Sequence, residues 1–170
     1  YTGGAGTDAL VLATALDDGA GGGYDVSGKT FSSIESLTLA SGGNKVAFTR
    51  AAHEAFATLN APGTDTVYVS GDGALVARAG IEQYVLGDDS TNARSFTTAA
   101  NALGLVANNA GDTLTVNAAA LGANALLSIA DTSASALVVT GLAGDLDASK
   151  LTGTLSVTTA DAADHGISIA

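Results

Sequence analysis

The sequence predicts a mainly β protein built as a parallel β-solenoid with short inserted helices; a β-sandwich is the alternative. Three observations carry this. Aliphatic residues alternate with small polar ones in short runs, turn residues separate the runs, and blocks of the chain recur in order. Leu37/Leu39, Val67/Val69, Leu114/Val116, Leu155/Val157 and Ile167/Ile169 each flank one residue free to face outward, the period of a strand. Many of the outward positions are Thr or Ser, which suit a sheet surface.

Along the chain, IESLTL at 34–39 matches IEQYVL at 81–86, 47 residues on. FTRAAHEA at 48–55 matches FTTAANAL at 96–103, and TDTVYVS at 64–70 matches GDTLTVN at 111–117. Related units therefore lie near 34–70 and 81–117, followed by a more strand-dense region at 124–170. TDALVLA at 7–13 reads as the start of an earlier, divergent copy. In the dense region, strands are expected at 126–130, 136–140, 154–158 and 167–170. Positions 138 and 156 are one coil of about 18 residues apart, as are 68 and 85. GDG at 71–73, GDD at 87–89 and NNAGD at 108–112 supply turns.

Two helices are expected. Thr49 precedes RAAHEAFATL, which sets Ala52, Phe56 and Leu59 near one face, and Asn60, Pro62 and Gly63 would end it. The second covers Phe96 to Val106, capped by Thr97 or Thr98. Its support is the alanine content, which favours helix.

Composition bounds the function. The net charge is −11, which argues against nucleic acid and anionic membranes and favours hard cations. No run of 18 apolar residues is present, so no membrane span is expected. Without cysteine there is no disulfide, thiol nucleophile or thiolate zinc site. The chain starts at Tyr1, and is read as one segment of a larger repetitive protein.

No catalytic set assembles: GxSxG, HExxH and the phosphate-binding loop are all missing. His53 and Glu54 are adjacent on the expected helix and so diverge in direction. The second copy has Asn101 and Ala102 there. The chain is expected not to be an enzyme.

GGAGTDALV at 3–11 matches the calcium-binding nonapeptide GGxGxDxUx through Gly3, Gly4, Gly6, Asp8 and Leu10. The chain therefore resembles exported repeats-in-toxin bacterial proteins. GDLDASKLTGTLSVTTADAAD at 144–164 is similar in texture to type I-secreted adhesins and surface-layer proteins. The resemblance implies Ca2+ held by Asp8 and nearby glycine carbonyls, between turns of stacked coils. It also implies an extracellular or cell-surface scaffold whose partners are the rest of the parent chain, copies of itself or cell-surface glycans. The alternative is a carbohydrate- or cell-binding module of a secreted protein or polysaccharide-active enzyme. Only one full nonapeptide is present, and a plain capped turn is the other reading of Asp8.

Further acidic candidates are Asp17, Asp18 and Asp25 around a glycine-rich loop, Asp88 and Asp89 after IEQYVL, and Asp145 and Asp147 flanking Leu146. Each pair also reads as an ordinary solvated turn or edge. Asp161, Asp164 and His165 read as surface residues. Glu35 and Glu82 recur after isoleucine and are expected to accept backbone N–H bonds from a neighbouring coil, or to pair with Lys29 and Arg78.

Overall fold

The computed structural model describes residues 1–16, 24–71, 73–87, 93–99, 103–107, 113–129, 136–161 and 165–169. The first elements are β1 (Ala9–Val11), β2 (Tyr24–Asp25), β3 (Ser36–Thr38), β4 (Lys45–Thr49) and helix α1 (Arg50–Ala55). Then come β5 (Thr58–Asn60), β6 (Thr66–Ser70), β7 (Leu75–Val76), β8 (Gln83–Leu86), β9 (Ala93–Thr97) and β10 (Leu103–Ala107). The chain continues with β11 (Thr113–Asn117), β12 (Leu126–Ile129), β13 (Ala136–Leu142), β14 (Asp145–Ala148), β15 (Thr154–Thr159) and β16 (Ile167–Ile169).

These strands form three sheets. The first is β1-β3-β5, and the third is β15-β13-β11-β9-β7. Between them in the chain path runs a long sheet of eight strands, β16-β14-β12-β10-β8-β6-β4-β2. All the ladder pairings described are parallel. Consecutive strands alternate between faces, so each pass of the chain adds one rung to two sheets. This is the parallel β-solenoid, and it excludes the sandwich, which is made from antiparallel sheets. Val138 pairs with Ser156 and Tyr68 with Val85, the coil partners that the spacing predicts.

Register aligns like with like. Leu10, Leu37 and Leu59 stack in the first sheet. Val46, Val67 and Tyr84 stack in the long sheet, as do Phe48, Val69 and Leu86. Phe96, Val116, Val139 and Val157 form a row of the third. One hydrophobic cluster contains Leu37, Val67 and Leu114, with Leu155 packed against it. Burying such rows on both inner faces is the main driving force for the fold. At the far ends of the rows, Tyr24 is 45% exposed and Ile169 63%.

Two expectations about helices need correction. Thr49 does cap α1, its Oγ1 accepting the Ala52 N–H at 3.1 Å. But α1 stops at Ala55, and Thr58–Asn60 is a strand paired with Ser36–Thr38. Phe56 and Leu59 reach the core from extended backbone, where a continued helix would have lost the ladder bonds. The second expected helix does not form: Phe96 and Thr97 close β9, and Leu103–Ala107 is β10. Phe96 is locked opposite Val116, so sheet packing overrides alanine's preference.

The recurring blocks also take different places. IESLTL lies on β3 in the first sheet and IEQYVL on β8 in the long one. TDTVYVS forms β6 in the long sheet, whereas GDTLTVN forms β11 in the third.

Candidate functional site

The polar residue just before a strand meets its counterpart on the next rung, and there the repeated acids find their task. The Asp8 N–H donates to Glu35 Oε2 at 2.8 Å, and the Asp65 N–H donates to Glu82 Oε2 at 2.8 Å. In return the carbonyl of Asp8 accepts from Glu35 and Ser36, and that of Asp65 from Gln83. Each Thr-Asp is thus clasped by the Ile-Glu of the following rung. Glu35 and Glu82 therefore bind backbone rather than Lys29 and Arg78. The Arg78 guanidinium is turned elsewhere and donates from Nη2 to the Phe56 carbonyl.

On the long sheet the clasp extends into a seam. Leu16 N–H donates to Asn44 Oδ1 at 3.0 Å. The Asn44 N–H and Nδ2 donate to Asp65 Oδ1 at 2.8 and 2.6 Å. Asp65 then donates to Glu82. At three successive rungs a side chain reaches back to satisfy the N–H before the previous strand. The carbonyls of Leu16, Asn44, Asp65 and Glu82 accept from Lys45, Thr66, Gln83 and Gly104. Buried backbone groups need such partners. Asn44 and Asp65 are buried, and Asp65 Oδ2 has no hydrogen-bond partner. Sequence reasoning missed this seam. Its only signals were Asn44 and Asp65 standing immediately before β4 and β6.

In the nonapeptide turn, the Gly4 N–H donates to Asp8 Oδ2 at 2.9 Å. Gly6 has φ +123°, which favours glycine. A Cβ on Gly3 would lie 1.7 Å from the Ser33 carbonyl oxygen and 2.8 Å from Asp8 Oδ2. The oxygen donors here are the Asp8 carboxylate, Glu35 on the next rung and the Ser33 carbonyl. All are hard ligands of the type calcium takes, about six to eight at a time. Among the described residues no group of three or more His, Asp and Glu side chains gathers around a metal-sized site.

The other acidic candidates stand apart. Asp17, Asp18, Asp88 and Asp89 lie outside the described residues. Asp25 Oδ1 accepts from Ser27 N–H, and this turn lowers the Asp25 pKa, through the Ser27 side chain first. Asp147 makes the same turn with Ser149, with the same effect. Asp145, on the same strand, accepts from Gly166 N–H at 2.7 Å. Leu146 between them is buried, so both carboxylates lie on the outer face. Near the end, His165 Nε2 lies 3.1 Å from Asp161 Oδ1.

His53 and Glu54 diverge as expected. Glu54 pairs with Arg50 at 2.8 Å on the exposed side of α1, whereas His53 is 0% exposed. His53 joins a file of rings from Tyr1 through Phe31, Phe56 and Phe48 to Tyr84 and Phe96. Its Nε2 is 3.1 Å from the Tyr84 hydroxyl, which also accepts from the Arg78 N–H at 2.8 Å. Burial, reinforced by the Arg78 charge, lowers the His53 pKa to about 4, and burial raises that of Tyr84.

Among the described residues, concavities include an open one of about 390 Å³ lined by Asp145, Asp147, Ser149 and Gly166. An apolar cleft of about 100 Å³ is lined by Leu10, Leu12, Leu16, Tyr24 and Phe31 among others. An open groove of about 700 Å³ runs along the outer face of β3 and β5, past Ser36, Thr38, Thr58 and Asn60 to Arg78. Among the described residues no helix is long and apolar enough to cross a membrane. Comparison with protein-family profiles, curated proteins and solved structures finds no match to the chain. The β-solenoid architecture suits a structural scaffold or a ligand-binding module.

Proposed function

We propose that the chain is a scaffold segment of an extracellular or bacterial cell-surface protein, of the surface-layer or adhesin kind. The observation that carries this is the long sheet, in which eight parallel strands continue one ladder over a shared aliphatic core. Such a body is quasi-one-dimensional: each rung contacts its neighbours, and length is added without redesign. The exposed Tyr24 and Ile169 continue core rows onto the two edge strands of the long sheet, where another rung can add. Calcium belongs to this reading as a stabilising ion at the Asp8–Glu35 turn, completing its shell with water or carbonyl oxygens.

Electron microscopy and small-angle scattering with and without millimolar calcium test the proposal. A rod-shaped particle that forms ordered assemblies is the expected result. Particles that stay dispersed under all conditions, while binding one glycan saturably, would overturn it. That second outcome belongs to the competing reading, a carbohydrate-binding module. The groove favours it, because its hydroxyl and amide side chains stand in two rows at adjacent rungs: Ser36 beside Thr58, and Thr38 beside Asn60.

A further inference from the structure

His53 is a buried titratable group for which a scaffold has no evident use. It hangs from α1, a helix of six residues, which is too short to persist without tertiary support. That support is specific. Thr49 caps the first turn, Phe56 is fully buried at the end, and His53 plugs the interior between them. The rings around His53 are Phe48 at 6.3 Å and Tyr84 at 5.7 Å between centroids.

The hydrogen bonds define which form of the ring fits. With the neutral ring's proton on Nδ1, Nε2 accepts the Tyr84 hydroxyl proton while the Tyr84 oxygen takes the Arg78 N–H, so both the oxygen and the proton of that hydroxyl are paired. The imidazole fits as a neutral acceptor with its proton on Nδ1, which has no partner. A proton added at Nε2 removes that acceptor and leaves the Tyr84 proton without one. It also places a positive charge among aromatic rings beside the Arg78 guanidinium. Among the described residues, the titratable and charged groups facing His53 are Tyr84, from β8, and Arg78, from the turn before it. β4 presents Phe48, and Phe96 of β9 packs against Tyr84. On α1 itself, Arg50 and Glu54 satisfy each other on the outer side. No carboxylate among them is placed to receive the imidazolium.

We propose that α1 is an acid-released flap: protonation of His53 detaches Arg50–Phe56 from the solenoid flank and opens the aromatic interior while the strands on either side remain paired. The strands have their own ladder bonds, so opening is confined to the insert between β4 and β5.

Amide hydrogen exchange of the 170-residue chain across pH 8 to 4.5, corrected for intrinsic rates, tests this. With the ring held near a pKa of 4 when closed and free at its ordinary value when open, the opening equilibrium of residues 51–56 should rise roughly 30-fold from pH 8 to pH 5. β6 and β8 should keep their protection. His53→Gln supplies an uncharged acceptor for Tyr84 and should abolish the rise, whereas His165→Gln should leave it intact. An equal rise in His53→Gln would overturn the proposal, as would loss of protection in β6 and β8 together with α1. Should His53→Gln not fold, NMR titration of the His53 ring in the unaltered chain decides. A ring that titrates near 6.5 without opening of α1 refutes the flap.

Discussion

The Asp65 N–H meets the Glu82 carboxylate on the following rung at 2.8 Å, and 27 residues of separation instead of 17 give the same 2.8 Å bond between Asp8 and Glu35. Loop length between the partners is irrelevant because the ladder sets their distance. Glu82→Ala leaves the N–H of a fully buried residue without an acceptor and should cost about 2 kcal/mol, read from the urea midpoint. Glu82→Gln keeps an acceptor oxygen and should cost about half as much. Glu35→Ala should cost less than Glu82→Ala, because Asp8 keeps partial access to water.

Asn44 tests the seam most sharply. Asn44→Asp is nearly isosteric, but it replaces the Nδ2 donor, 2.6 Å from Asp65 Oδ1, with a second carboxylate oxygen. Two buried anions in contact should destabilise the chain by about 3 kcal/mol near neutral pH. Denaturant unfolding checks it, and a variant as stable as the parent would refute the seam.

Glycines of the nonapeptide should differ in tolerance. Gly4→Ala meets nothing within 4 Å and should change the melting temperature little. Gly3→Ala drives a methyl group into the Ser33 carbonyl and should lower stability by at least about 2 kcal/mol, measured by thermal unfolding.

Acid should weaken the fold through His53. Its pKa in the fold, about 4, lies below its ordinary value of 6.5, so the unfolded chain takes up the proton first. The resulting stability is complete above about pH 6.5 and falls as pH drops toward 4, by about 3 kcal/mol in total. Asp25 and Asp147 act in a lower window. Their lowered values add stability above the ordinary carboxylate range, and it disappears as pH falls through their folded pKa values. Urea titrations at half-unit pH steps separate the two, with His53→Gln losing only the upper slope.

Calcium at millimolar concentration should raise the melting temperature, and magnesium should do so less, since it demands a tighter octahedral shell. Asp8→Ala should weaken the calcium response. Calorimetry with no heat and no thermal shift would remove the ion from the functional reading.

Much of this was legible in the sequence. Period-2 pairs such as Val67/Val69 and Leu114/Val116 mark inward rows directly, because a strand's side chains alternate whatever the fold. The recurrence of Glu35 and Glu82 marked a shared geometry. Phe96–Val106 was misread as helix because alanine propensity is local, whereas the pairing of Phe96 with Val116 is not. The seam was illegible for a similar reason. Asn44, Asp65 and Glu82 have no fixed spacing, and coils of unequal length bring them into line. His53 was visible as a histidine but not as an interior one, since the expected inward face of the helix ran through Ala52, Phe56 and Leu59, whereas His53 is the buried residue of α1.

The backward reach of Asn44, Asp65 and Glu82 gives the molecule an arrow of assembly. A chain emerging amino end first leaves the N–H groups of Leu16, Asn44 and Asp65 without acceptors until Asn44, Asp65 and Glu82 arrive on the following turn.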